Sequence, residues 1–72
     1  MPAIRTEPIE VRAAGPGSGW LVAREGTSFV MGRFRTQREA ITNGRLLAKL
    51  EGNEFVWRGR DGRVISRTAF RI

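Results

Sequence analysis

The sequence predicts an α+β fold: a single antiparallel sheet of four to five strands with one helix packed on one face, in the order β-β-β-α-β-β. Three observations carry this expectation. Short runs of alternating or β-rich residues lie on both sides of one amphipathic segment. That segment has a start signal and a stop signal at helical spacing. The chain has 72 residues, which is one domain at most.

Residues 1–8, with Pro2 and Pro8 and mixed polarity, read as a flexible lead-in, and residues 9–72 as the single domain. Ile9-Glu10-Val11-Arg12 alternates apolar and polar side chains, as a half-buried strand does. The Gly/Pro-rich stretch from Ala13 to Gly19 is a turn region. It lacks the following helix start and the Lys-Ser/Thr pair of a phosphate loop, so a hairpin connection is expected there. Trp20 to Arg24 is a second strand, and Ser28 to Phe34 supplies a third, rich in β-forming residues.

Thr36-Gln37-Arg38-Glu39 has the form of a capping box, in which the Thr36 hydroxyl accepts from the Glu39 amide and the Glu39 carboxylate reaches back. The helix then runs from Gln37 to Leu50 or Glu51 and stops at Gly52, a suitable left-handed cap. At about 100° per residue, Ala40, Ile41, Gly44, Leu47 and Ala48 form its apolar face. Leu46 and Leu50 widen that face sideways. Arg38, Thr42, Arg45 and Lys49 make a basic stripe opposite, whose plainer explanation is an ordinary solvated face.

Asn53 to Arg60 is a fourth strand, and Arg63 to Phe70 a fifth. Asp61-Gly62 between them is a two-residue hairpin signal. With that loop, Arg60 pairs with Arg63, Gly59 with Val64, Arg58 with Ile65, Trp57 with Ser66, Val56 with Arg67 and Phe55 with Thr68. Alternation then turns Phe55, Trp57 and Val64 toward the helix. The opposite face carries Arg58, Arg60, Arg63 and Arg67 around Val56 and Ile65. The expected core is Trp20, Val22, Phe55, Trp57, Ile41 and Leu47.

Composition removes several kinds of chemistry. There is no cysteine and no histidine, which takes away disulfides, thiolate metal sites and the commonest general base. No cofactor or metal is expected, and the chain is not expected to be an enzyme. Glu39 and Asp61 already have capping and turn roles, and nothing places two carboxylates in one pocket. The N-terminus has no apolar run long enough for a signal peptide, and no stretch approaches the ~20 apolar residues of a membrane span. The expectation is a soluble cytoplasmic protein with no membrane partner.

The net charge is +6, and all basic residues but Lys49 are arginine. Arginine makes bidentate contacts to phosphate and carboxylate, which points to an anionic partner. A GC-rich genome, whose codons favour arginine, is the alternative origin of the bias. On the last hairpin the concentration of arginine suggests phosphate binding; a charged solvent face that prevents sheet stacking is the competing explanation. No exposed aromatic is evident beside these arginines, which counts against base stacking.

Gly19-Trp20-x-Val22, Phe34-x-Thr36-x-x-Glu39-Ala40-Ile41, Leu47-Ala48, Gly52 and Gly59-Arg60-Asp61-Gly62-Arg63-Val64 together form a pattern. It resembles a bacterial family of short uncharacterised proteins, the domain of unknown function 2188, from Val11 to Phe70. The resemblance implies a strand-rich fold with one helix and no assigned reaction. Trp57-Arg58 stands where the family pattern has an aliphatic-histidine pair, and the ending Ala69-Phe70-Arg71-Ile72 lacks its Ser-Tyr-Gly.

The function expected is a non-catalytic binding module for an anionic partner, nucleic acid first or else an acidic protein. Arg58, Arg60, Arg63 and Arg67 would contact phosphates, supported from another side by Arg38, Arg45 and Lys49. The alternative is a protein-interaction or homodimeric assembly module, such as a factor of phage or mobile-element origin acting on a host protein. Its interface would use Leu46, Leu50, Val56 and Ile65. A chain this short buries only about 60% of its surface, and pairing would enlarge the core.

Overall fold

A strand that alternates apolar and polar residues needs a cover for one face, and a 15-residue helix with a stripe of small side chains provides it. The computed structural model of the protein describes residues 7–70, so most of the expected lead-in lies outside the described residues. The elements are β1 (Ile9–Ala13), β2 (Trp20–Arg24), β3 (Val30–Phe34), α1 (Gln37–Glu51), β4 (Glu54–Arg58) and β5 (Val64–Ala69). They form one five-stranded sheet in the order β3-β2-β1-β4-β5, with α1 on one side. The α+β class and the element order match the expectation from sequence.

The sheet is mixed rather than wholly antiparallel. β1 and β4 are parallel, with Ile9 opposite Phe55 and Val11 opposite Trp57, while every other pairing is antiparallel. The cause is the helical crossover. β3 points the same way as β1, α1 returns the chain over the sheet, and β4 must then run in the direction of β3 and β1.

The capping box forms as written in the sequence. The Thr36 hydroxyl accepts from the Glu39 amide at 3.2 Å, and Glu39 Oε1 accepts from the Thr36 amide at 3.2 Å. Gly52 ends the helix in the left-handed region at φ 64°. Ala40, Gly44 and Ala48 are its buried residues, facing Ile9, Val11, Trp20, Val22 and Phe55. Trp57, Ile41 and Leu47, also expected in the core, are half-buried at its margin. Gly44 sets the helix–sheet distance. A Cβ there would come within 2.7 Å of the Phe55 ring and 3.2 Å of a Val11 methyl.

The last hairpin keeps the expected pairs Phe55–Thr68, Val56–Arg67 and Trp57–Ser66, but its tip differs. Only Gly62 has positive φ there, at 87°, so Asp61 does not enter the left-handed conformation that a two-residue turn demands. Gly59 and Arg63 instead close a three-residue loop, with the Gly59 amide donating to the Arg63 carbonyl at 2.9 Å. Asp61 Oδ1 accepts from the Arg63 amide at 3.1 Å, holding that geometry. Arg58 therefore faces Val64, and a bulge at Ile65 restores the expected pairing at Trp57 and Ser66. This exchanges two side chains relative to the expected register. Val64 shares the face of Arg58, and Ile65 lines a recess with Trp20 and Thr36 on the helix side.

An ion pair ties the end of β2 to the end of α1. Arg24 Nη2 and Glu51 Oε2 lie 2.6 Å apart, and a second bond joins Arg24 Nη1 to Glu51 Oε1 at 2.8 Å. The Arg24 hydrogen bonds hold the Glu51 carboxyl below its ordinary range, with Asn53 assisting.

Two outcomes follow from this packing. Gly44→Val should lower stability by about 1–3 kcal/mol, the usual cost of overpacking a core. An unchanged urea midpoint would show that the helix does not approach the sheet this closely. Glu51→Gln should lower stability at neutral pH. Because the folded carboxyl value is depressed, the wild-type advantage is complete above the unfolded value of ~4.3 and fades as pH falls through the folded one. Urea unfolding of both proteins at about pH 7 and about pH 3 checks the sign, the gap being smaller in acid.

Candidate functional site

The outer face of the sheet, expected to present free arginines, is occupied by its own ion pairs. Glu10 projects from β1 onto this face and is only 4% exposed. It accepts from Arg12 Nη1 at 2.5 Å and from Arg58 Nε at 2.9 Å. Arg58 Nη2 lies 3.5 Å from Glu25, and Arg67 bridges Glu25 at 2.6 Å and Glu54 at 3.1 Å. These contacts raise the Arg67 guanidinium above its ordinary value, Glu25 contributing most. Arg58 also donates to the Gly62 carbonyl at 2.9 Å. Val56 and Ala23, on this face by register, are completely buried.

Val56 is therefore not the open interface position expected from sequence. Arg58 and Arg67 lie on the expected face, yet their donors are already engaged. Arg63 is a loop residue with an 88% exposed side chain, 3.6 Å from Asp61.

Arg60 departs furthest from its expected place. The three-residue loop turns it to the helix side, where its guanidinium sits 5.0 Å from the Trp20 ring centroid. There it joins two arginines that sequence reasoning left out. Arg33, Arg35 and Arg60 line one open recess with Phe34 and residues 17–19. An adjoining recess is lined by Trp20, Arg35, Thr36, Gln37, Arg60 and Ile65. Gly19 shapes the first wall: it has φ 83°, and a Cβ there would collide with the Phe34 carbonyl oxygen. Arg33 donates to the Ser18 carbonyl at 3.4 Å, and the Gln37 amide donates to the Arg58 carbonyl at 3.1 Å. The signal for the missed pair was the run Arg33-Phe34-Arg35 immediately before the helix cap.

Arg38, Arg45 and Lys49 are exposed along one flank of α1, as the helical phase predicts. Their surroundings are more specific than an ordinary solvated stripe. Arg45 lies over the Phe55 ring and Lys49 over the Phe70 ring, each 5.8 Å from the centroid. This flank therefore leans over β4. Leu46, beside β3, and Leu50 are 53% and 75% exposed.

Among the described residues, Arg33, Arg35, Arg38, Arg45, Lys49 and Arg60 form no ion pair with a carboxylate. Four of the carboxylates, Glu10, Glu25, Glu51 and Glu54, are held by Arg12, Arg24, Arg58 and Arg67. Glu39 is held in the cap, and Asp61 in the turn. The uncompensated charge consequently gathers at the end of the sheet where α1 begins and along the helix flank above β4.

The outer network has a direct test. Glu10→Gln removes the buried charge that Arg12 and Arg58 share, and should destabilise the fold by roughly 1–3 kcal/mol. Thermal unfolding measures this, and an unchanged melting temperature would deny the network a structural role.

No curated protein and no solved structure matches the chain. The family model described as an uncharacterized protein conserved in bacteria, the domain of unknown function 2188, matches residues 9–70. That span holds every strand, the helix and both arginine groups, and the chain belongs to this family.

Proposed function

We propose that the protein is a non-catalytic binding module for nucleic acid, contacting phosphates through Arg33, Arg35 and Arg60, with Arg38, Arg45 and Lys49 extending the surface. The partition of charge carries this reading. A guanidinium without a carboxylate partner has its fork of donors open to phosphate. Arg58 and Arg67 would have to surrender Glu10, Glu25 or Glu54 first. The engagement of six of the seven carboxylates in ion pairs, cap and turn supports a binding role over a catalytic one.

A second reading, an assembly or homodimer module, is supported by a separate observation. Phe29 and Val30, at the start of the edge strand β3, and Leu46 and Leu50 on the neighbouring helix flank are all exposed. Among the described residues no helix is long and apolar enough to cross a membrane.

Binding of duplex and single-stranded oligonucleotides at about 50 and 200 mM salt tests the first reading. Replacing Arg33, Arg35 and Arg60 by Gln should weaken binding, and each lost contact should reduce the slope of log affinity against log salt by ~0.9 for duplex or ~0.7 for single strands. Arg58→Gln with Arg67→Gln should lower thermal stability and leave that slope unchanged. Absence of binding at the lower salt would overturn the reading.

A further inference from the structure

We propose that the shelf between α1 and the β4–β5 hairpin cradles single-stranded nucleic acid, with a base stacked on Trp57. The inference rests on the nucleic-acid reading above and narrows its ligand.

The shelf arises from the topology. α1 packs against β1, β2, β3 and β4 but makes no contact with β5. The helix-side surface of β5 is thus uncovered beyond the helix flank. Its floor follows from the register: Trp57 opposite Ser66, and Phe55 opposite Thr68. Phe55 is buried beneath Arg45, whereas Trp57 is half-buried and Thr68 exposed. One long wall is the helix flank with Arg38, Arg45 and Lys49. From the helical rise, Arg38 and Arg45 are about 10 Å apart along the axis, and Arg45 and Lys49 about 6 Å. Arg60 stands at one end over Trp20, and Lys49 at the other over Phe70.

A row of cations beside a floor that holds a half-buried aromatic ring and hydroxyl groups is the combination single strands use. The cations follow the backbone, and the aromatic ring receives a base whatever its identity. A duplex keeps its bases stacked internally and offers this surface only phosphates. The expected ligand is therefore a single strand with little sequence preference, DNA or RNA.

Fluorescence anisotropy with labelled oligothymidylate of about ten nucleotides, within the ~4–16 nucleotide site sizes of single-strand binders, and with a duplex of equal length tests this. The single strand should bind more tightly at equal salt and quench the emission of Trp57. Trp57→Leu should weaken single-strand affinity by about five- to hundredfold, the range of base stacking, and leave duplex affinity unchanged. Thr68→Glu places a negative charge on the exposed floor without touching the core, and should act in the same direction if Trp57→Leu fails to fold. Equal or tighter binding of the duplex, or equal loss of both forms in these variants, would overturn the single-strand assignment while leaving nucleic-acid binding intact. Tight binding of polyglutamate that displaces the oligonucleotide would reassign the shelf to an acidic peptide. Binding of neither nucleic acid would remove the broader reading.

Discussion

The approach of α1 to the sheet at Gly44 is the contact on which the rest of the molecule depends. With no side chain there, the helix axis can lie close over β1 and β4, its glycine against Phe55 and Val11. A short chain has little apolar surface to bury, and close approach extracts the most from the few large side chains available. Ile9, Val11, Val22 and Phe55 all become fully buried by this one helix. A consequence of centring the helix there is that it cannot also cover β5.

The opposite face of the sheet meets the same shortage by different means. Among the described residues no second layer of helix or strand covers Val56 and Ala23, yet both are buried. Long arginine side chains lie on this face, their heads bonded to Glu10, Glu25 and Glu54. Arg58 and Arg67 on this face are thus engaged within the fold. The engagement of acidic groups here has an electrostatic consequence elsewhere. A chain of net charge +6 that concentrates acidic partners on one face leaves the helix flank and the α1-start end positive. The arginines of the two faces therefore differ in their surroundings: those of the outer face are paired with carboxylates, and those of the helix flank are not.

Local features were legible because their causes are local. The Thr36–Glu39 box and the Gly52 stop involve residues within a few positions of one another, and both form as the sequence implies. The order of elements along the chain and the face that most alternating runs present were also readable, since period two leaves little choice. The hairpin tip differs from the expected register by one step. Asp61-Gly62 allows both a two-residue and a three-residue loop, and the choice rests on the φ of Asp61, which composition does not reveal. That single step moved Arg60 across the sheet and exchanged Val64 with Ile65.

The sequence by itself determined the α+β class, the helix and its limits, the pairs Phe55–Thr68 to Trp57–Ser66 and the basic stripe of Arg38, Arg45 and Lys49. The tertiary structure alone decided the parallel β1–β4 pairing, because alternation specifies which face a residue takes and not which strand lies beside it. It also decided which arginines are spent. Arg58 and Glu10 are 48 positions apart in the chain, and Arg67 and Glu25 are 42 apart. Charge pairing depends on distance in space, which sequence order does not encode, and so which arginines are paired became visible only where the sheet brings these residues together.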